Sequence, residues 1–456
     1  MTVQTYPPNE QSSPEPAADV PHRPRSTAGS IFASLVAGAM AALILTLVVF
    51  AGGTEATITG AILLAFGLGW ALMAILTVRR TSHPQRWAIV PAAVMSSVGI
   101  ALVAFRPGDD AMTALSLVWP PVVLGLAVWV FVQMRRSLPG RGRWLLTPVV
   151  GVLALASVGA IYENIALSGD LDTYAAPGKL YDVGGHRLHL DCRGHGGPTV
   201  VLFNGLGDIS ASWARVAGKV AATTRVCAYD RAGQGWSDDS DSPQDGMTAA
   251  KDLHTLLAGA GEQGPFVLVG HSTGGTYAMT YAARYPGQMA GLVLLDSSSP
   301  EQFTRLPAYP GEYAVMRRGL ALLPTLNRLG LGRLFAASHL PAAAADRVNA
   351  LTSTARAARN GRDEISVIPD VFAESQALTT LHEKPLAVLT ASDNVATDGW
   401  VGAQNQLAGL STNRIHRTVR STHPGLLEDT RPAAESVRAI TEVISSVRTG
   451  GLLSAR

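Results

Sequence analysis

The chain has 456 residues, of which 47% are hydrophobic and only 15% charged, with a formal net charge of +2 and a mean hydropathy of +0.20. A balance this near neutrality gives no basis for a nucleic-acid partner, and so few charges are unusual for a purely soluble enzyme. The apolar excess is gathered into blocks within the first third.

Residues 1–27 are rich in Pro, Ser and polar groups and read as a disordered tail. Five apolar blocks follow, Ile31–Ala51, Ala56–Val78, Trp87–Phe105, Ala111–Met134 and Trp144–Tyr162, none holding a charged residue. Each runs to about 19–24 residues, enough to cross a hydrocarbon core as a helix. Residues 28–167 are therefore predicted to be an all-α transmembrane region. Pro120 and Pro121 are expected to kink the fourth span. Arg23, Arg25, Arg79, Arg80, Arg86, Arg135, Arg136, Arg141 and Arg143 lie on one side of the predicted spans, against Arg106 on the other. Basic residues favour the cytoplasmic side, so the N-terminus is expected inside and the chain after the fifth span outside, with membrane lipids as partners. No ionisable residue sits mid-span, which argues against a pump or transporter.

From about Ala176 the pattern changes. HRLHLDC (186–192), PTVVLFNG (198–205), RVCAYD (225–230), PFVLVG (265–270), GLVLLD (291–296) and PLAVLT (385–390) read as strands, with helical stretches such as 247–260 and 275–288 between them. Such alternation predicts a mostly parallel sheet covered on both faces. The long interval 297–384 contains helical patterns at 312–329 and 342–359 and reads as a helical cap.

Within this region, VLVGHSTGG (267–275) sets Ser272 between Gly270 and Gly274, directly after a buried strand and before a helix rich in small residues. A serine on so tight a turn projects from the sheet, and flanking glycines relieve the crowding; this is the G-x-S-x-G nucleophile elbow. The bland reading is a glycine-rich turn with an incidental serine.

FNGLGDISASW (203–213), YDRAGQGWSD (229–238), GHSTGG (270–275), GLVLLDSS (291–298) and STHPGLLED (421–429) occur in an order that resembles the α/β-hydrolase family over roughly 180–450. The resemblance implies an α/β-hydrolase domain over 177–450, with a serine nucleophile at Ser272 and a base at His423. It also implies an oxyanion hole from the backbone N–H groups of Leu206 and Thr273. Asn204 replaces the family's usual histidine and Thr422 its usual glycine. Asp230 and Arg231 read as structural, and His271 is expected to point away from the nucleophile. Two acids compete: the usual position on the seventh strand is filled by Asn394, leaving Asp393 one residue early and Asp398 further on, whereas a minority of the family uses an acid after the sixth strand, which here is Asp296. Asp296 is favoured and Asp393 is the alternative.

A serine nucleophile implies acyl transfer to water and excludes the haloalkane and epoxide chemistry that uses an aspartate nucleophile on this fold. The expected activity is hydrolysis of an acyl ester, a lipid-like one included, or of an amide through an acyl-enzyme, without metal or cofactor. An aminopeptidase would need a cap carboxylate for the substrate amine, with Glu301, Glu312 and Glu364 as the available residues. The competing reading is a membrane binding or sensory protein with an inactive hydrolase-like domain. Cys192 and Cys227 fall on strands that the family's sheet order makes neighbours, and either a disulfide or two buried thiols fits.

Overall fold

The computed structural model describes residues 1, 2, 4, 26–138, 140–241 and 244–453, so most of the predicted tail lies outside the described residues. Five helices long and apolar enough to cross a membrane come first: α1 (Thr27–Ile44, continued by a π-helical turn to Val49), α2 (Glu55–Arg80), α3 (Ile89–Phe105), α4 (Asp109–Ser137) and α5 (Gly140–Thr173). Their surfaces carry exposed apolar side chains along the whole bundle, among them Phe32, Ile100, Val118 and Leu155.

Two features of these helices have local causes. Helix α4 is one continuous helix through Pro120 and Pro121. The amide that Pro120 lacks would have bonded the carbonyl of Ser116, and the Asn164 side chain of α5 donates to that oxygen instead at 2.7 Å. Helix α5 runs on to Thr173, well past its apolar block, because Glu163 and Asp170 on this extension both pair with Arg333.

The remainder is an eight-stranded sheet in the order β1-β2-β4-β3-β5-β6-β7-β8. The strands are β1 (Lys179–Asp182), β2 (Arg187–Arg193), β3 (Val200–Phe203), β4 (Val226–Tyr229), β5 (Phe266–His271), β6 (Met289–Leu295), β7 (Leu386–Ala391) and β8 (Arg414–Val419). The β1–β2 and β2–β4 pairings are antiparallel and the others parallel. Strand β1 escapes the sequence reading because it is an edge strand with little buried surface.

Helices α6 (Ala214–Val220), α7 (Gly246–Gly259) and α8 (Gly274–Arg284) follow β3, β4 and β5 in turn. On one face Leu253, Tyr277, Met279 and Phe372 pack over the sheet; on the other Trp213, Val216, Ile440 and Val443 do so. The central strands are apolar throughout because both sides are covered.

Between β6 and β7 lies the cap: α9 (Gln302–Arg305), α10 (Tyr309–Arg328), α11 (Leu331–Phe335), α12 (Ala342–Thr352) and α13 (Ala355–Ser375). The single helix predicted over 342–359 is broken at Ser353–Thr354, where the Thr354 hydroxyl accepts from the Ala357 amide and caps a new helix. Helices α14 (Trp400–Ala408), α15 (Gly425–Glu428) and α16 (Thr430–Thr449) complete the chain.

Cys192 and Cys227 face each other in the β2–β4 register and form a disulfide, which decides between the two sequence alternatives. They are 35 residues apart, and closing a loop of that size is worth roughly 3–4 kcal/mol on the chain-entropy estimate. The Cys192→Ser/Cys227→Ser chain should lose about that much stability in denaturant titrations. A loss below about 1 kcal/mol would contradict a stabilising cross-link.

Candidate active site

Ser272 follows the last residue of β5 and sits in the left-handed region at φ +56°. Three backbone hydrogen bonds hold this unfavourable conformation. Its amide donates to the carbonyl of Leu295 at 3.2 Å, and its carbonyl accepts from Gly275 and Ser298. The flanking glycines are sterically required: a Cβ on Gly270 would lie 2.4 Å from Gly275 Cα, and one on Gly274 would lie 2.2 Å from the Phe203 carbonyl oxygen. Thr273, next in the turn, has a buried hydroxyl with no hydrogen-bond partner among the described residues.

Asp296 stands one residue beyond β6 and is fully buried, with φ +42°. That turn brings its carboxylate to four donors. One oxygen accepts from the Ala391 amide at 3.1 Å and the Trp400 indole at 3.0 Å, the other from Asn394 at 2.5 Å and His423 Nδ1 at 2.7 Å. Asn394, the residue at the usual acid position, thus serves Asp296 as a donor. Asp393 is exposed, and its amide bonds the Ser421 carbonyl; among the described residues its side chain bonds only Ser392. The structure therefore brings His423 together with Asp296 and not with Asp393.

His423 lies in the turn between β8 and α15, and its ring is about one-third exposed. His271 fixes that turn from below: its Nε2 donates to the His423 carbonyl at 3.1 Å, its Nδ1 faces Asp208 at 3.2 Å, and the two imidazole rings are 4.6 Å apart. Both His271 nitrogens face acceptors, which a neutral imidazole with one N–H cannot satisfy. Burial opposes the charge, but the Asp208 carboxylate and the His423 carbonyl hold its pKa above the ordinary value.

The loop carrying Leu206 passes directly over Ser272; a Cβ on Gly205 would come within 3.0 Å of Ser272 Cβ. Asn204 pins its start, donating to the Tyr229 carbonyl and accepting from the Trp213 indole. Asp230, fully buried, accepts from the Ser210 amide and hydroxyl and pairs with His189, fixing the other end. Arg231 donates to the Asn204 carbonyl at 2.8 Å and contacts the Gly205 carbonyl at 3.5 Å. In a trans peptide the N–H opposes the carbonyl, so a Gly205 carbonyl drawn to Arg231 turns the Leu206 N–H the other way.

Sequence reasoning missed what holds Arg231. Glu364 of α13 ion-pairs with it, accepts from Gln234 at 2.9 Å, and accepts from the Gly207 amide at 3.3 Å. Arg231 also lies over the Tyr277 ring, its Cζ 4.1 Å from the centroid. Burial alone would lower the Arg231 pKa; the charge and hydrogen bond of Glu364, together with Tyr277 and Tyr229, outweigh it and hold the pKa above the ordinary value. Glu364 is committed to this pairing and is not free to hold a substrate amine. Glu301 is engaged by Arg305 and Gln406, and Glu312 is exposed. A buried arginine beside Asp230 hinted at a partner, but nothing in sequence pointed to position 364.

With this geometry in hand, residues 198–393 match the family model described as alpha/beta hydrolase fold. An uncharacterized protein of Schizosaccharomyces pombe is 28% identical over 278 residues, covering 53% of this chain and 51% of that protein. The 2-hydroxy-6-oxononadienedioate/2-hydroxy-6-oxononatrienedioate hydrolase of Paraburkholderia xenovorans is 30% identical over 151 residues, covering 31% of this chain and 50% of that one. The chain thus spans about half the length of these curated relatives. Among solved structures, the Cif epoxide hydrolase of Acinetobacter nosocomialis superposes with a TM-score of 0.51 at 16% identity, covering 62% of this chain and 96% of that one. The sheet domain has the α/β-hydrolase fold, and a region of five long apolar helices precedes it.

The Arg231–Glu364 pair is 1% and 4% exposed. Replacing Glu364 by alanine strands the guanidinium, which should cost about 3–5 kcal/mol of stability. Thermal unfolding of the purified full-length chain checks this, and a change below about 1 kcal/mol would show that the pair is not structural.

Proposed function

We propose that the protein is a membrane-anchored serine hydrolase that cleaves an acyl ester or amide through Ser272, His423 and Asp296. The observation that carries the reading is the 2.7 Å hydrogen bond from His423 Nδ1 to Asp296, made beside the left-handed turn of Ser272. A buried carboxylate on Nδ1 fixes the imidazole tautomer and leaves Nε2 to accept the serine proton.

Ser272 Oγ attacks the substrate carbonyl as His423 takes its proton, and Asp296 stabilises the resulting imidazolium. The Leu206 and Thr273 amides hold the tetrahedral oxygen. His423 returns the proton to the leaving group, giving the acyl-enzyme, and then activates the water that hydrolyses it. Arg231 and Glu364 act by positioning the Leu206 peptide. The Paraburkholderia xenovorans relative is a hydrolase of a 2-hydroxy-6-oxo diacid, which agrees with a hydrolase.

The Ser272→Ala chain should fold normally and lose several orders of magnitude in turnover of a test ester. Asp296→Asn should lose about 10⁴-fold and Asp393→Asn little, by analogy with other triads. The reverse order for the two aspartates would return the acid to the seventh strand.

The proposed topology puts the N-terminus in the cytoplasm and the sheet domain on the extracytoplasmic side. The nine arginines of the tail and basic loops support it, as does a disulfide between β2 and β4. Because α5 extends to Thr173, a reporter is best fused after Ala176. Strong alkaline phosphatase and weak fluorescent-protein signals are expected there; the opposite pattern would invert the topology.

A further inference from the structure

The cap is bound to the ends of the apolar helices as well as to the sheet domain. Helix α10 lies between α13 and these helix ends. Arg318 Nε donates to the Leu47 carbonyl at the end of the first helix, at 3.1 Å. The hydroxyls of Thr325 and Thr59 are 2.9 Å apart, and Arg328 ion-pairs with Glu55. Beyond α10, the chain presses on α5 so closely that a Cβ on Gly159 would lie 2.3 Å from the Leu329 carbonyl oxygen. Gly159 belongs to the apolar block of α5, so the cap descends to the level of that block. Arg333 then pairs with Glu163 and Asp170 further along the same helix.

Seated this way, the cap leaves large apolar side chains uncovered. Val315 on α10 is 71% exposed, and Leu334 and Phe335 on α11 are 74% and 81% exposed. Val315 is one turn from Arg318, whose side chain reaches Leu47, the residue before the exposed Val48 and Val49. Leu334 and Phe335 follow Arg333 directly, and the partners of Arg333 on α5, Glu163 and Asp170, lie within two residues of the exposed Ile165 and Leu171. The uncovered apolar surface of the cap therefore continues that of the bundle. The opposite face of α10 turns inward: Tyr313, Met316 and Leu320 pack against the same apolar cluster as Leu206 and Phe303. Helix α10 thus has one face toward the uncovered surface and the other toward the apolar cluster that also takes Leu206.

Resting on the hydrolase reading above, we propose that α10 and α11 are seated in the outer lipid interface of the membrane, and that the substrate is a long-chain acyl ester delivered from the bilayer. Exposed apolar residues on an amphipathic helix, with arginines such as Arg317 and Arg318 at the headgroup level, are suited to that position. Ion pairs to three of the apolar helices, α2, α4 and α5, keep the cap on the lipid surface, so an amphiphile reaches the site around α10 without crossing water.

The test uses the full-length chain in phosphatidylcholine nanodiscs, with a nitroxide attached in turn to Val315→Cys, Phe335→Cys and Leu452→Cys. Lipid seating predicts that the first two labels are relaxed by oxygen and shielded from a water-soluble nickel chelate, whereas the label at exposed Leu452 meets the chelate. Chelate access at all three would overturn the seating. In parallel, Val315→Asp/Phe335→Asp should lower hydrolysis of a long-chain ester carried in vesicles by at least about tenfold, the order expected from two unburied apolar side chains. Hydrolysis of a short, water-soluble ester should stay within about twofold, since neither residue belongs to the catalytic machinery. Equal loss on both esters would overturn delivery from the bilayer. A parent chain that cleaves neither ester would refute the hydrolase reading instead, while the nitroxide result would still decide where the cap sits.

Discussion

The site depends on one buried carboxylate. Asp296 is withdrawn from water at the end of β6, and an unpaired charge there would be costly. Four donors from three segments offset that cost: the Ala391 amide at the end of β7 and Asn394 just beyond it, Trp400 at the start of α14, and His423 after β8. Satisfying the carboxylate therefore ties together the ends of three neighbouring parallel strands. The same strand end accepts the Ser272 amide through Leu295, so the candidate nucleophile and its acid are set against each other by backbone.

A second buried charge organises the other side. Arg231 sits at the end of β4 and reaches the carbonyls on either side of the loop turn over Ser272, while Glu364 comes down from the cap to neutralise it and to hold Gly207. The cap and the Asn204–Gly207 loop thus share one ion pair. Because the cap is also paired to the apolar helices through Glu55, Glu163 and Asp109, the geometry around Ser272 is linked to the seating of the whole bundle. An exposed pair contributes little, but these are largely withdrawn from solvent and join segments far apart in sequence.

Much of this was legible because it rests on local pattern. Apolar runs of the right length gave the strands and the five long helices, and Gly270 and Gly274 marked the turn at Ser272. What the sequence could not resolve depends on direction or on distant partners. Asp296 and Asp393 are equally plausible acids by chain order; the left-handed turn at Asp296 and the substitution of Asn394 decide which carboxylate meets His423. Glu364 lies on an amphipathic cap helix whose pattern shows a buried face but no partner. The continuity of α4 through two prolines depends on Asn164, a residue of the next helix. The pairing of Cys192 with Cys227 follows from strand register, which an antiparallel neighbour order permits but does not by itself demand.

The central claim is that Ser272 is a nucleophile made reactive by His423 and Asp296. Peptide mass spectrometry after treating the full-length chain with a fluorophosphonate tests it most directly. The account predicts a single phosphonyl adduct on the peptide containing Ser272, formed quickly in the parent chain and strongly slowed in His423→Ala. No adduct in the folded parent chain, an adduct on another serine, or labelling indifferent to His423 would contradict it.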